Sequence, residues 1–311
     1  MRVSIVTPSF NQSRFLEKTM RSVLEQNYAS LEYFVIDGGS TDSSVEIIKR
    51  HERELAGWIS EKDKGQADAI NKGFCRANGE IIAWLNSDDF YLPGTISRAI
   101  EVFTKNPQAG MVYGNVLSVD ADGKAFNLQT FHQFGLLDLM SFHIISQPAV
   151  FMRRSILEKA GMLDTTFHCL LDHHLWLRMA RLAPMVYIPE TLAAARYHVD
   201  AKNLARTTDF GREAFRIVDW MASAPEFSTT FAQNKTRILA GAERFDAFYL
   251  LDGGNTAAAL RAYGRAFRLN PTVVLKEWHR VAYALLAMLG LGKLRGLYMR
   301  LRPKPAKRKS S

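Results

Sequence analysis

The chain has 311 residues, 47% hydrophobic and 23% charged, a balance that excludes a disordered or fibrous polypeptide and allows one large domain plus a smaller appendage. Its two cysteines, Cys75 and Cys169, exclude a disulfide framework and fit a reducing compartment. The net charge of +9 is carried wholly by nine basic residues between Arg280 and Lys309, with no acidic residue after Glu277; residues 1–279 are formally neutral, which argues against nucleic acid as a partner of the main body.

In chain order, Val3 to Thr7 is a β-rich run closed by Pro8. Met1-Arg2 leads straight into it, so no signal peptide is expected. Arg14 to Gln26 carries apolar residues at helical spacing, and Leu31 to Ile36 is the next strand, closed by Asp37-Gly38-Gly39-Ser40. Ser40 or Thr41 is expected to cap the helix that follows. Trp58 to Ser60 reads as a short strand, Gln66 to Ala77 as a helix, and Ile81 to Leu85 as an apolar strand running into Asn86-Ser87-Asp88-Asp89. Ser97 to Phe103 is a predicted helix, Gly110 to Val119 a strand before an Asp120–Gly123 turn, Ile144 to Met152 a strand, and His173 to Leu182 a helix. From Asn203 onward helix formers dominate. Strands alternating with helices predict an α/β domain with a mostly parallel sheet over residues 1–202, a helical region over 203–292 and a basic tail over 293–311. Within the helical region, Tyr249 to Pro271 resembles half of a tetratricopeptide pair, although packing of one amphipathic helix on its own domain explains the pattern as well.

Three acidic clusters, Asp37, Asp63 and Asp88-Asp89, fall where strands of a parallel sheet should end, and ligands bind outside the carboxyl ends of such strands. Asp37 is suited to accept hydrogen bonds from a base edge or ribose hydroxyls, and Gly38-Gly39 would let a flat ligand approach the backbone. A dinucleotide fold is disfavoured, because Thr7-Pro8-Ser9 stands where a Gly-x-Gly-x-x-Gly turn is needed. The Asn86–Asp89 segment offers the hard oxygen ligands that Mg²⁺ or Mn²⁺ prefers.

The succession Val3–Asn11, Val35–Asp42, Glu61-x-Asp63-x-Gly65-Gln66 and Trp84–Asp89 resembles the inverting family 2 glycosyltransferases of GT-A fold, over about the first 200 residues. That resemblance implies a GT-A nucleotide-diphospho-sugar transferase fold followed by a helical C-terminal region. It implies nucleotide binding by Thr7, Pro8, Ser9, Asn11, Asp37, Gly39, Asp63, Gln66, Asn71, Asn86 and Ser87. The metal, Mg²⁺ or Mn²⁺, falls to Asp88 and Asp89, with His198 matching a histidine that reaches metal or diphosphate in some relatives; Arg196 offers an alternative partner for phosphate. The sequence departs from the family's Asp-x-Asp signature at Asn86. Gln147–Arg154 resembles the acceptor-side strand, and Asp172–Arg178 the segment whose leading carboxylate is the general base, which makes Gln147, Asp172, His173 and Trp176 the expected acceptor residues and Asp172 the base. Asp172 is equally a fitting N-cap for the helix after it. The expected donor is a nucleotide-sugar, by default a UDP-sugar, and the expected acceptor a saccharide or lipid-linked hydroxyl in cell-surface polysaccharide or glycolipid synthesis.

Two rivals stand beside this reading: a sugar nucleotidyltransferase, which would need a more basic phosphate loop than Asn11-Gln12-Ser13-Arg14 provides, and a non-catalytic scaffold on the same fold. Val273 to Lys309 mixes apolar residues with one-sided positive charge, so peripheral contact with the cytoplasmic face of a membrane is expected, with a disordered solubilising tail as the alternative.

Overall fold

A computed structural model describes residues 1–198 and 206–291. The expected basic tail therefore lies outside the described residues. The chain divides into two compact units: Met1–Leu136 with Ile144–His198, and Leu137–His143 with the chain from Val199 onward.

The first unit is built on one mixed sheet. Strands β1 (Val3–Ser9), β2 (Leu31–Asp37), β3 (Gly57–Ser60) and β4 (Ile81–Trp84) alternate with helices α1 (Ser13–Leu24), α2 (Ser44–Arg50) and α3 (Gln66–Arg76). These four strands are mutually parallel in the order β3-β2-β1-β4, so the chain steps outward from β1 to β3 and then crosses back to the far side of β1. The reversal between β1 and β4 is a topological switch point, where the diverging connections leave a crevice beyond the strand ends. The sheet continues past β4 through β8 (Val150–Arg153), β6 (Met111–Val119), β9 (Met185–Arg196) and β5 (Phe90–Tyr91), with β7 (Ala125–Gln129) off the path against β6. Here β8 is antiparallel to both β4 and β6, while β6 and β9 run parallel.

Helix α4 (Thr95–Lys105) follows β5, and α6 (Arg154–Ala160) and α7 (Leu171–Leu182) follow β8. One core, with Val3, Ile5, Leu16, Met20, Tyr33, Val35, Ala83 and Phe103 among its members, lies between the sheet and its helices. Two expectations shift. The predicted strand over 144–152 is strand only from Val150, because Gln147–Ala149 forms a 3-10 turn around Pro148. The helix after β2 begins beyond Ser43, while Ser40 and Thr41 bond instead to Asp37 and Asn11.

The second unit is helical: α5 (Leu136–Met140) over most of its length, then α8 (Thr207–Ser223), α9 (Pro225–Asp252), α10 (Thr256–Leu269), α11 (Pro271–Leu275) and α12 (Trp278–Leu286), ending in a π-helical turn at Ala287–Leu291. Segment 137–143 belongs here because Arg244 donates to Phe142 O at 2.7 Å, Arg237 pairs with Asp138 at 2.7 Å, and Phe142 packs on Phe245. Small side chains at Ala247, Ala259, Ala262 and Ala266 let α9 and α10 pack closely across the Gly253-Gly254 turn. No helix of the described residues is long and apolar enough to cross a membrane.

Candidate active site

The parallel ladder delivers four loops to one place. Gly38 N donates to Ser9 O at 2.8 Å, Glu61 N to Asp37 O at 3.0 Å and Leu85 N to Val6 O at 2.9 Å, so each chain leaves its strand still bonded to its neighbour. Asn11, at φ +51°, closes the first loop: its N–H donates to Ser40 Oγ and its Oδ1 accepts from Thr41 N, both at 2.8 Å. Ser13 N and Ser44 N both donate to the Asp42 carboxylate, which these hydrogen bonds hold below the usual carboxylate range against the opposing effect of burial.

Asp37 is the organiser of the second loop. Its carboxylate is 0% exposed and accepts from Gly39 N, Ser40 N and Oγ, and Ser60 Oγ. Asp37, expected to accept from a base edge or ribose hydroxyls, instead turns its carboxylate into its own loop and fixes that backbone. Asp63 stands on the third loop, accepting from Gly65 N at 2.8 Å. Its Oδ2 comes so close to Gly38 that a Cβ there would sit 2.4 Å away, with the Phe10 ring at 3.4 Å from the same point. Only a glycine permits this approach. Phe10 itself is 58% exposed on the rim, a feature the sequence pattern did not single out.

The fourth loop follows β4. Gln66 Nε2 donates to Asn86 Oδ1 at 2.7 Å, joining the start of α3 to the segment, and Asn86 Nδ2 reaches Asp89 Oδ2 at 3.3 Å. Asn86 at the signature's first position thus works as a bridge. Buried Thr19 of α1 donates its hydroxyl near both Ser87 O and Asp89 O, fixing the loop backbone from below. Asp88 and Asp89 then point to different tasks. Asp88, with its side chain 21% exposed, brings Oδ2 to 3.1 Å from His198 Nε2. Asp89 is buried, accepting from Arg196 N at 2.9 Å; burial first, and the Asp88 charge second, hold its carboxyl well above the ordinary range.

Arg196 is the hub that sequence reasoning named only in passing. Its guanidinium donates to Asp88 O and Ala121 O and lies 4.7 Å from the centre of the Phe15 ring, while its backbone secures Asp89. The clustering of Arg196 and His198 two residues apart at the end of a strand was the available signal. Among the described residues no group of three or more His, Cys, Asp or Glu side chains converges on one point. Asp88 and His198 therefore offer a cation two protein donors, one a hard oxygen. This set fits a divalent ion that takes most of its ligands from phosphate and water.

Other expected site residues are placed differently. Thr7 is fully buried and accepts from Tyr33 OH within the core, so its side chain faces away from the crevice. Asn71 is bonded in both directions to Leu163 of the loop before α7, at 2.9 and 3.0 Å, which makes it a strut. His173 and Trp176 are fully buried; the Trp176 ring stacks on Trp84 at 5.2 Å, and neither can offer an acceptor an open face. Asp172, partly exposed in the first turn of α7, accepts from His173 N at 2.7 Å and sits one helical turn before Trp176. Ser9 Oγ, and Gln147 Oε1 beside a Gln147 Nε2 bond to Trp84 O, are buried atoms with no hydrogen-bond partner in the structure.

A family model described as glycosyl transferase family 2 matches residues 4–161, just over half of the chain. An uncharacterized glycosyltransferase of Mycobacterium tuberculosis is 31% identical over 194 residues, covering 60% of this chain and 71% of its own. The chondroitin synthase of Escherichia coli is 26% identical over 223 residues, 70% of this chain but 32% of that protein. This chain thus spans about a third of some relatives. In structure it is similar to S. aureus TarS 1-349 in complex with UDP-GlcNAc (TM-score 0.60, 14% identity, 91% and 92% of the two chains). It is also similar to the mannosyltransferase PcManGT from Pyrobaculum calidifontis in complex with GDP-Man and Mn²⁺ (TM-score 0.59, 21% identity, 93% and 86%).

A mixed sheet with acidic loops gathered at its switch point gives this chain the fold of the GT-A class, that of glycosyltransferases. Within that class the chain belongs to glycosyl transferase family 2.

Proposed function

We propose that the protein transfers a sugar from a nucleotide-diphosphate donor, by default a UDP-sugar, to the hydroxyl of a saccharide or lipid-linked acceptor, with inversion at the anomeric carbon. The first unit, with the helical region after residue 202 as its appendage, would carry the chemistry. The observation that carries this reading is the joining of the Asp37, Asp63 and Asn86–Asp89 loops into one rim, by the close approach of Asp63 to Gly38 and the hydrogen bond from Gln66 to Asn86.

On this rim the exposed Phe10 ring offers a stacking face for the base, with Asp63 at its side to receive an N–H of the base or a ribose hydroxyl. The backbone of Ser9, Gly38 and Gly39, held in place by Asp37 and Asn11, lies where a flat ligand can approach closely. Ser9 Oγ and Gln147 Oε1 need partners, since a buried polar group without a hydrogen bond costs about 1–3 kcal/mol, and hydroxyls of the donor supply them. Asp88 and His198 would hold Mg²⁺ or Mn²⁺, and such an ion, when bound, neutralises the charge of the departing diphosphate. Asp89 and Arg196 position that pair.

The acceptor oxygen forms its bond to the anomeric carbon as the bond from that carbon to the diphosphate breaks, the electron pair leaving with the nucleotide. The acceptor proton passes to the Asp172 carboxylate, a role worth about 10²–10⁴-fold in rate. Asp172→Asn should therefore lose transfer by at least a hundredfold, while UDP affinity by calorimetric titration stays within about twofold. Retained turnover in that variant removes Asp172 from the reaction. Release of inorganic pyrophosphate from a nucleoside triphosphate would instead identify a nucleotidyltransferase. The acceptor class we favour is a growing cell-surface polysaccharide or glycolipid, met at the cytoplasmic face of a membrane.

A further inference from the structure

The C-terminal helices of the second unit leave large apolar side chains in solvent. Trp278 is 65% exposed and Leu289 75% exposed, and Leu275, Leu285, Leu286 and Met288 are also open. They follow a pattern. In α12, Trp278 and Leu285 lie seven residues apart and so share one face, while Arg280 and Ala284, on the other side of the helix, are buried. That inner side is well anchored: Arg280 donates to Asp252 Oδ1 at 2.6 Å, and Glu277 bonds Arg244 at 2.8 Å and Tyr263 OH at 2.9 Å. The outer side is thus presented on a braced helix, and the π-helical turn carries it on to Met288 and Leu289.

The charge of the same stretch is one-sided. No acidic residue follows Glu277, and eight further Lys and Arg residues stand between Lys293 and Lys309. An apolar face next to positive charge alone complements a surface that is apolar inside and negative at its edge. A protein partner would have to match both properties, while a bilayer containing anionic lipid does so everywhere. An indole at the rim of such a face favours the headgroup level.

We propose that the outer face of Leu275–Leu289, led by Trp278 and Leu289, inserts shallowly into an anionic lipid surface, with the basic residues beyond it drawn to the headgroups. The surface stands on its own residues; its use in reaching a lipid-linked acceptor rests on the acceptor class proposed above.

The test uses the full-length chain and extruded vesicles of phosphatidylcholine alone or with about a third phosphatidylglycerol. Flotation should recover the protein with the anionic vesicles, and recovery should fall in high salt. Trp278 emission should shift to the blue on binding; a Trp278→Phe chain, which keeps the apolar face, reports how much of the shift belongs to this residue. Trp278→Glu with Leu289→Glu should weaken binding more than tenfold. Each charge removed at Lys304, Lys307, Arg308 and Lys309 by exchange for Gln should weaken it about fivefold where that side chain reaches the surface. Thermal melts confirm folding, and UDP titration shows the donor site intact, so failure here is distinguishable from failure of the transferase reading. Equal recovery on neutral vesicles, or unchanged binding in the double variant, overturns the proposal. So does light scattering that shows a dimer dissociated by Trp278→Glu, because the face would then belong to a second copy.

Discussion

Single side chains at the crevice divide into those left open to it and those that hold its loops in place. Gly38 is the sharpest case, since its missing Cβ is where Asp63 Oδ2 comes to rest. Gly38→Ala must displace the Asp63 carboxylate, and overpacking of this kind costs about 1–3 kcal/mol. A thermal melt should show that loss, and UDP binding should weaken with it; a variant that binds UDP as the parent does would mean that Asp63 lies off the nucleotide path. The two neighbouring acids should separate just as clearly. Asp88→Asn removes the negative charge beside His198, so the dependence of activity on Mn²⁺ concentration should move upward by at least tenfold while stability barely changes. Asp89→Asn, at a buried position bonded to the Arg196 backbone, should leave apparent metal affinity nearer to the parent value. If the two variants shift the metal dependence equally, Asp89 is a ligand as well.

At the scale of elements, α7 and β4 are joined through stacked indoles. Trp84, two residues before Asn86 of the signature loop, packs on Trp176 and meets Phe74 of α3 edge-on. Trp176→Ala opens a cavity there, and truncation of a buried aromatic costs about 3–5 kcal/mol. Chemical denaturation should show this, and Asp172, one turn away, should lose its placement, so that kcat falls more than nucleotide affinity. In the helical unit Asp246 of α9 lies against Gly211 of α8, and burial, followed by the charge of Glu243, raises its pKa; Arg265 opposes the shift. A carboxylate whose pKa is raised on folding stabilises the native state below its unfolded pKa, and the advantage is lost as pH rises through the folded one. Asp246→Asn should therefore raise the melting temperature at pH 7–8 and have little effect near pH 4, and a uniform shift across that range would remove Asp246 as the cause.

For the whole molecule, two compact units predict two unfolding transitions by calorimetry. A ligand that binds only the folded first unit stabilises it by about 2.7 kcal/mol at a hundred times its dissociation constant. UDP with Mn²⁺ should accordingly raise one transition and leave the other in place. Equal displacement of both would contradict a donor site confined to Met1–Leu136 and Ile144–His198.

Much of this was legible in the linear chain, and for a local reason. Strand and helix periodicity, and turns such as Asp37–Ser40, depend on residues two to four apart, so β1 to β4 and α1 to α3 were found within a few residues of their ends. Strand β9 escaped notice because Pro189-Glu190 and a run of alanines weaken its pattern; it is a strand because β6 and β5 pair with it. The same distinction holds at the site. Residue types announced acids at the ends of parallel strands, yet nothing along the chain tells that Asp37 turns inward to its own loop, that Asp89 serves Arg196, or that Asp88 meets His198 across 110 positions. Chemistry of the loops is a property of their composition. Direction of each carboxylate is a property of the partners that folding brings to it, and hydrogen bonds over a hundred residues are set by the packing of the sheet.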